Sequence, residues 1–439
     1  MTSRPTAPTR RHFALLAIAF AAFALYGSWV PLQYRPLAWE VAQRRWSEVC
    51  SIPIRVESKS DWAANILLFT PIGFFGMAAL CADRRRAADL WAVPLIAACI
   101  GFSVFLEFSQ LYFPPRTSSL DDVTAESVGA ALGVLVWMTA GRPLTRQARA
   151  LWAGSETSGT AGRLVIAYLV VLAVVQIMPP DLTISPHELY HKYKAGLVRP
   201  VPFTAWPADP ATGVKKLLEG AAWFLPLGLL LARVPRWRRG QQAAWEVLLV
   251  GIAVAGAVEF ERLVVVVHSS DATDVITNPL VVLAGWYVGG EGRDKSVRGF
   301  AVATWVAALA YLNWHPFDLQ RGADAWERWQ NLSWLPFADY LQTAYLSSLE
   351  NAADKVIQFA ALGALTAAAL APTRVRAWHV IVPAALLAAV FEAGQLFLPT
   401  RYTSVTDVLV EAGSAGLGFA ICSRLRRRNV NLQIWAAAA

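Results

Sequence analysis

The chain has 439 residues, of which 56% are hydrophobic and only 16% charged, and its formal net charge at pH 7 is +8. Apolar windows such as 13–32 and 91–105 are too long for strands of a water-soluble domain, and a bilayer span needs about 20 mostly apolar residues. This composition excludes a soluble globular domain and indicates a polytopic membrane protein.

Apolar windows separated by polar breaks predict twelve transmembrane helices in chain order. They lie near residues 13–33, 62–82, 90–113, 120–140, 163–180, 214–233, 244–267, 273–290, 298–316, 351–371, 378–398 and 406–424. The fourth, eighth and twelfth of these segments each begin in a polar turn.

Basic residues concentrate in every second loop and at both termini. These segments read "SRPTAPTRRH", "ADRRRAAD", "GRPLTRQARALW", "RVPRWRRGQQ", "GGEGRDKSVR", "PTRVRAW" and "SRLRRRNV". By the positive-inside rule all of them are cytoplasmic, so both termini are predicted to be cytoplasmic. Since topology explains the basic charge, no nucleic-acid partner is expected.

The polar segment after the third predicted helix occurs three times. Residues 107–123 read "EFSQLYFPPRTSSLDDV", residues 259–275 read "EFERLVVVVHSSDATDV" and residues 392–408 read "EAGQLFLPTRYTSVTDV". Aligned without gaps, they bring together five sets of polar residues. The sets are Glu107, Glu259 and Glu392; Gln110, Arg262 and Gln395; Arg116, His268 and Arg401; Asp122, Asp274 and Asp407; and, four residues further on, Glu126, Asn278 and Glu411.

A second block also recurs once in each unit of four predicted helices. "DWAANILLFTPIG", "KKLLEGAAWFLPLG" and "ENAADKVIQFAALG" align through Phe69, Phe224 and Phe359. Recurrence once in every four predicted helices indicates repeated structural units, and units of four helices all insert with the same orientation. The sequence therefore predicts an all-α polytopic integral membrane protein of three parallel four-helix repeats, at 1–150, 151–296 and 297–439.

These motifs resemble the VanZ-like family of bacterial membrane proteins. The family pattern pairs N-x3-F-x-P-x-G with E-x2-Q, then Pro and Arg, then D-V-x2-N-x2-G. Repeat one is similar to it through Asn65, Phe69, Pro71, Gly73, Glu107, Gln110, Pro114, Arg116, Asp122 and Gly129, with Glu126 in place of the usual asparagine. Repeat three resembles a second form of the family, in which Asp354 and Lys355 match an acid-lysine pair, while repeat two has lost most of the pattern.

The resemblance implies a protein of the bacterial inner membrane. The family's founding member is associated with resistance to the glycopeptide antibiotic teicoplanin, and the family's molecular activity is not settled. Envelope homeostasis or antibiotic resistance is therefore the expected setting.

The predicted binding residues fall in two groups. In repeat one they are Asn65, Glu107, Gln110, Arg116, Asp122 and Glu126; in repeat three they are Asp354, Lys355, Glu392, Gln395, Arg401, Asp407 and Glu411. Glu107 and Gln110 lie one turn apart on a helix, and ionisable residues within the membrane are functional candidates by default. Arg116 either pairs with Glu107, bracing the turn, or holds a lipid phosphate with its two-pronged guanidinium.

Asp122 has two interpretations. Ser119, three residues before it, fits a helix capping box, and an acidic side chain in a first turn favours the positive end of the helix dipole. Glu126 lies one turn deeper, so these acids and Glu107 also fit a site that binds a cation or shares a proton. The small residues Gly129 and Gly133 favour close helix packing, and Pro71 suggests a kinked or broken helix.

"SPHELYHKYK" contains His187, Glu188 and His191, the H-E-x2-H pattern of zinc proteases. It lies in a predicted outer loop, and no third ligand lies at a familiar spacing, so an amphipathic interfacial helix is favoured over a zinc site. No metal and no cofactor are expected.

One function is favoured, with two alternatives. The first is recognition of an amphiphile in the outer leaflet, such as a lipid-linked envelope precursor or a glycopeptide that binds one, with membrane lipids as partners. The second is a membrane-embedded enzyme that uses Glu107 or Glu392 as acid or base. The third is a transporter in which the acids relay protons.

Overall fold

A computed structural model of the protein describes residues 8–54, 59–83, 88–153, 160–177, 183, 185–204, 209–237, 240–319, 322–342, 345–370 and 375–438. Some predicted cytoplasmic loop residues, such as Arg84, Arg85 and Arg86, lie outside the described residues. Within them the chain is largely helical and has almost no strand, as the sequence predicts.

Every one of the predicted segments overlaps a helix. In chain order the helices are Arg10–Trp29 (α1), Trp39–Ser51 (α2), Lys59–Cys81 (α3), Ala88–Gln110 (α4), Leu120–Val136 (α5), Arg142–Ala153 (α6), Thr160–Ile177 (α7), Pro186–Lys194 (α8), Pro210–Leu231 (α9), Gln241–Val264 (α10), Asp274–Gly289 (α11), Lys295–Trp314 (α12), Gly322–Gln330 (α13), Ala338–Gln342 (α14), Tyr345–Ala369 (α15), Trp378–Gln395 (α16) and Val405–Ala438 (α17). The two short strands Val198–Arg199 (β1) and Ser270–Asp271 (β2) pair in parallel.

Six helical stretches of the described residues are long and apolar enough to cross a membrane. They are Arg10–Trp29, Asp61–Cys81, Leu90–Gln110, Leu120–Arg146, Trp378–Gln395 and Val405–Leu425. Others are more charged, as α9 is with Lys215, Lys216 and Glu219. The protein is thus a helical membrane protein, while the count of twelve spans stays a prediction.

Two helices extend beyond their predicted ends. A π-helical turn, Trp137–Gly141, joins α5 to α6, so that helix continues past residue 140 to Ala153. Helix α17 continues through the basic segment after residue 424, because Arg, Leu and Gln all favour the helix. Helix α3 passes through Pro71 without a break, so this proline does not interrupt the span.

The chain divides into two compact units by its internal contacts. The first comprises residues 1–156 with 337–348, and the second comprises residues 157–336 with 349–439. The first unit contains repeat one, and the second contains nearly all of repeats two and three.

In each repeat, the second and fourth predicted spans pack closely, which places the polar motifs opposite each other. These spans are α3 and α5 in repeat one and α15 and α17 in repeat three. In the first unit a Cβ added to Gly133 of α5 would overlap the backbone of Thr70 and Phe74 in α3. In the second unit one added to Gly418 of α17 would overlap the backbone of Ala360 in α15. The absence of a side chain lets these helices touch along their backbones, as the small-residue pattern predicts.

Candidate functional site

Residues 107–123, 259–275 and 392–408 form the polar corners of the three repeats. The glutamate at the start of each corner is buried and accepts hydrogen bonds from the turn that follows it. The Glu107 carboxylate accepts a hydrogen bond from the Ser119 backbone N–H at 2.7 Å, and the Ser118 hydroxyl donates to the Glu107 carbonyl at 2.7 Å. The same two bonds recur as Asp271–Glu259 and Ser270–Glu259 in repeat two, and as Ser404–Glu392 and Thr403–Glu392 in repeat three. Part of the role of this glutamate is therefore structural.

The motif arginines bind the end of the first helix of their repeat. Arg116 donates to the carbonyls of Val30 at 2.8 Å and Gly27 at 2.5 Å. Arg401 donates at the same sequence offsets to the carbonyls of His315 at 3.0 Å and Leu312 at 2.8 Å. A cation is favourable there, because the last carbonyls of a helix lack partners and carry its negative dipole end. Both arginines thus bind the polar corner to the first helix of the repeat. The predicted pairing of Arg116 with Glu107 is not the contact that braces the turn.

Repeat two replaces this arrangement with other cations. Lys192 of α8 is 5% exposed and donates to the carbonyls of Arg262, Leu263 and Val265 at the end of α10, at 2.6, 3.1 and 2.5 Å. Burial lowers the pKa of the Lys192 ammonium. Arg262 in turn pairs with Glu259 at 3.0 Å. The middle repeat has therefore lost the motif but kept a cation-stabilised corner.

The serine of the predicted cap binds as expected, whereas the aspartate three residues later binds elsewhere. Ser119 caps α5 by accepting from the Asp121 N–H at 3.0 Å. Asp122 instead accepts from the Asn65 amide of α3 at 2.7 Å. Its counterparts also reach the second helix of their repeats, Asp274 through Lys216 at 3.2 Å and Asp407 through Lys355. Capping alone does not account for these aspartates.

Repeat one surrounds a polar cavity of about 360 Å³ in the first compact unit. Its lining includes the predicted residues Asn65, Glu107, Gln110, Arg116 and Asp122, together with Asp61, Trp62, Ser119 and Asp121. Glu126 does not line it; this carboxylate accepts a hydrogen bond from the Ser103 hydroxyl of α4 at 2.5 Å. The cavity therefore presents four carboxylates and one guanidinium.

In repeat three, the equivalent acids surround a lysine. The Lys355 ammonium contacts Glu392 at 3.2 Å, Asp407, and Glu411 at 3.5 Å. Glu411 is fully buried, and within the described part of the chain neither of its carboxylate oxygens has a hydrogen bond. The ion pair with Lys355 is therefore the interaction that stabilises it.

Two predicted residues of repeat three lie apart from this lysine. Asp354 precedes Lys355 in α15 but points towards repeat two, where its carboxylate accepts from the Trp223 indole N–H at 2.9 Å. Gln395 donates to Asn313 of α12 at 3.0 Å, whereas Gln110 in repeat one donates to Glu107 at 2.8 Å. Asp354 and Lys355 thus do not pair with each other but contact different partners, because adjacent residues on a helix face different directions.

The H-E-x2-H segment forms the short helix α8, in which the His187 and His191 rings approach to 3.1 Å between their Nε2 atoms. Within the described part of the chain, no group of three or more His, Cys, Asp or Glu side chains is arranged to hold a metal ion. Among these residues, no third ligand joins the histidine pair.

Sequence reasoning missed Asp61 and Trp62 at the cavity. Asp61 lies one helical turn before Asn65, and this i, i+4 spacing was a usable signal. Leu341, which also lines the cavity, comes from a distant part of the chain and gave no sequence signal.

A helical membrane protein built on a repeated polar corner is the class that these observations define. The VanZ/LLP1 family model matches the chain three times, at residues 13–141, 165–289 and 295–426. The chain belongs to this family, and the three matches confirm three tandem VanZ-like repeats. No curated protein and no solved structure matched it.

Proposed function

We propose that the protein recognises the headgroup of an amphiphile, such as an envelope lipid or a lipid-linked precursor, in the cavity of repeat one. The observation that carries the proposal is the cavity itself. Its volume of about 360 Å³ lies within the range of small-molecule sites, roughly 300–1,000 Å³, and polar side chains line most of it. Such a space suits a polar headgroup.

The position of the cavity suits a membrane-water interface. It lies at the corner where α4 ends and α5 begins, next to a group of aromatic side chains. Trp29 stacks on Phe113, and both Trp39 and Trp46 contact Phe108 edge-on. Tryptophan favours headgroup depth, and α2, which carries Trp39 and Trp46, has one polar and one apolar face. By the predicted topology this side of the inner membrane is the outer one.

A cavity-filling variant tests the proposal. Thr117 is exposed on the cavity lining, so Thr117→Trp should fill the cavity without disturbing the core. The matched control is Tyr402→Trp at the equivalent position of repeat three, where the native side chain is 92% exposed. Native mass spectrometry of the purified full chain should show roughly tenfold less bound lipid for Thr117→Trp, about 1.4 kcal/mol of binding, and no change for the control. Equal lipid retention in both variants would overturn the proposal.

A role in envelope homeostasis or antibiotic resistance follows as the cellular part of this proposal. Expression of the protein should raise the tolerance of a bacterium to a glycopeptide antibiotic that carries an acyl chain. Thr117→Trp should remove this gain in tolerance. A gain that survives this substitution would separate tolerance from the cavity.

A further inference from the structure

We propose that the cavity of repeat one binds an organic ammonium group, placed where repeat three holds the ammonium of Lys355. This inference rests on the proposed function and names the chemical class of the headgroup. A comparison of the three repeats, which share a backbone arrangement but differ in their cations, leads to it.

Repeats two and three supply internal cations to their corner acids. In repeat three, Lys355 contacts all three acids. In repeat two the third acid is replaced by Asn278, while Lys216 and Arg262 pair with Asp274 and Glu259. Each cluster is thereby stabilised by charges of the chain itself.

Repeat one has the full set of acids without such a cation. Among the described residues, no lysine or arginine nitrogen lies within 4.0 Å of the carboxylates of Glu107, Asp122 or Glu126. Arg116 lines the cavity, but its guanidinium is fastened to the carbonyls of Gly27 and Val30. Carboxylates within a membrane protein are costly unless paired, so a ligand cation would be strongly favoured here.

The alignment shows where that cation would lie. Asn65 and Lys355 each precede the aligned phenylalanine by four residues, and each contacts the aspartate of the facing helix, Asp122 or Asp407. The asparagine side chain is shorter and neutral. The cavity is lined by Glu107 and Asp122, whose counterparts Glu392 and Asp407 contact the Lys355 ammonium. A ligand ammonium in this cavity would therefore meet the same kinds of oxygen atoms.

An independent feature also indicates a ligand. The indole N–H of Trp62, which lines the cavity, is buried and has no hydrogen-bond partner among the described residues. An unpaired buried donor costs about 1–3 kcal/mol, so an acceptor oxygen placed within its reach would be stabilising. The tryptophan ring also offers a face on which an ammonium group is attracted. These features suit a headgroup that carries an ammonium next to oxygen atoms.

The test compares lipids that differ in the ammonium group. The purified full chain, in bilayer discs with equal amounts of phosphatidylethanolamine and phosphatidylglycerol of the same acyl chains, should retain the amine-bearing lipid at least tenfold better. Asn65→Lys should abolish this preference, because its ammonium would reach Asp122 as Lys355 reaches Asp407. The matched control Tyr402→Lys adds an ammonium at an exposed position of repeat three, where the native side chain is 92% exposed, and should keep the preference.

A second arm distinguishes a lipid from a free amine. In discs of phosphatidylglycerol alone, ethanolamine hydrochloride should raise the unfolding temperature of the wild type above that in sodium chloride, but not that of Asn65→Lys. Preference in the lipid arm alone assigns a lipid ammonium, and stabilisation in the soluble arm alone assigns a free amine. Either result supports the inference.

Several outcomes would overturn it. One is an equal retention of both lipids by the wild type together with no effect of ethanolamine, as expected if the acids are neutralised by protons alone. Another is an Asn65→Lys protein that keeps the preference. If Asn65→Lys fails to fold, Asp122→Asn replaces it and should reduce the preference, and an unchanged preference overturns the inference. Where Thr117→Trp still releases lipid but the headgroup has no effect, the proposed function stands and the ammonium inference fails.

Discussion

Replacement of Lys355 by methionine should strongly destabilise the second compact unit. Methionine keeps most of the length of the side chain and removes its charge. The Lys355 side chain is 12% exposed, and the acids that it contacts, Glu392, Asp407 and Glu411, are between 0 and 5% exposed. Without the ammonium, three carboxylates share a buried space, and that of Glu411 has no remaining hydrogen-bond or ion-pair partner among the described residues.

The expected loss follows from the burial of the cluster. Removing one partner of a buried ion pair typically costs about 3–5 kcal/mol. For a folded unit of this size, each kcal/mol lowers the unfolding temperature by roughly 2–4 °C, so a fall on the order of 10 °C is expected. Intrinsic tryptophan fluorescence during heating of the purified protein measures it.

Lys215→Met is the matched control for this measurement. Lys215 forms a helical i, i+4 pair with Glu219 at 3.3 Å, but the two side chains are 34% and 51% exposed. Exposed pairs of this kind contribute about 0.3–0.5 kcal/mol. Adding Asp407→Asn to Lys355→Met should recover part of the loss, because it removes one of the uncompensated charges. Equal unfolding temperatures for Lys355→Met and Lys215→Met would refute the reasoning.

Two further predictions concern the corner turns. Arg401→Lys should destabilise the protein by about 1–3 kcal/mol, since a point charge does not reproduce the planar fork that reaches the carbonyls of Leu312 and His315; thermal unfolding measures this, and wild-type stability would contradict it. Burial alone would raise the pKa of Asp271, but hydrogen bonds from Lys216 and Thr273 outweigh it and lower the pKa below its ordinary value of 3.8. The resulting stability is present above that value and lost as the pH falls through the lowered pKa, so Asp271→Asn should flatten the loss of stability below about pH 4. An unchanged acid profile of unfolding for Asp271→Asn would show that this carboxylate does not contribute.

The helices were predictable because a membrane span requires a long apolar window. The repeats were predictable because the polar corner recurs once in every four predicted spans. The residues of the site were predictable for a related reason. Charged and amide side chains stand out in an apolar chain, and the three aligned copies identify their equivalents. Two of the helix ends were predicted too early, because arginine-rich segments at the membrane surface continue a helix as readily as they end a span.

By itself, the sequence determined the helical membrane class and the threefold repeat, and it identified Glu107, Arg116 and Asp122 as candidate site residues. Only the tertiary structure decided their partners. Arg116 binds helix-end carbonyls, while Asp122 reaches Asn65 across a helix pair that glycines bring together. Sequence spacing fixes which residues share a helix face, but a side chain selects its partner from what the packed neighbouring helices present. For the same physical reason, only the packing of the helices decides that Glu107 and Asp122 border a cavity whereas Glu126 binds Ser103.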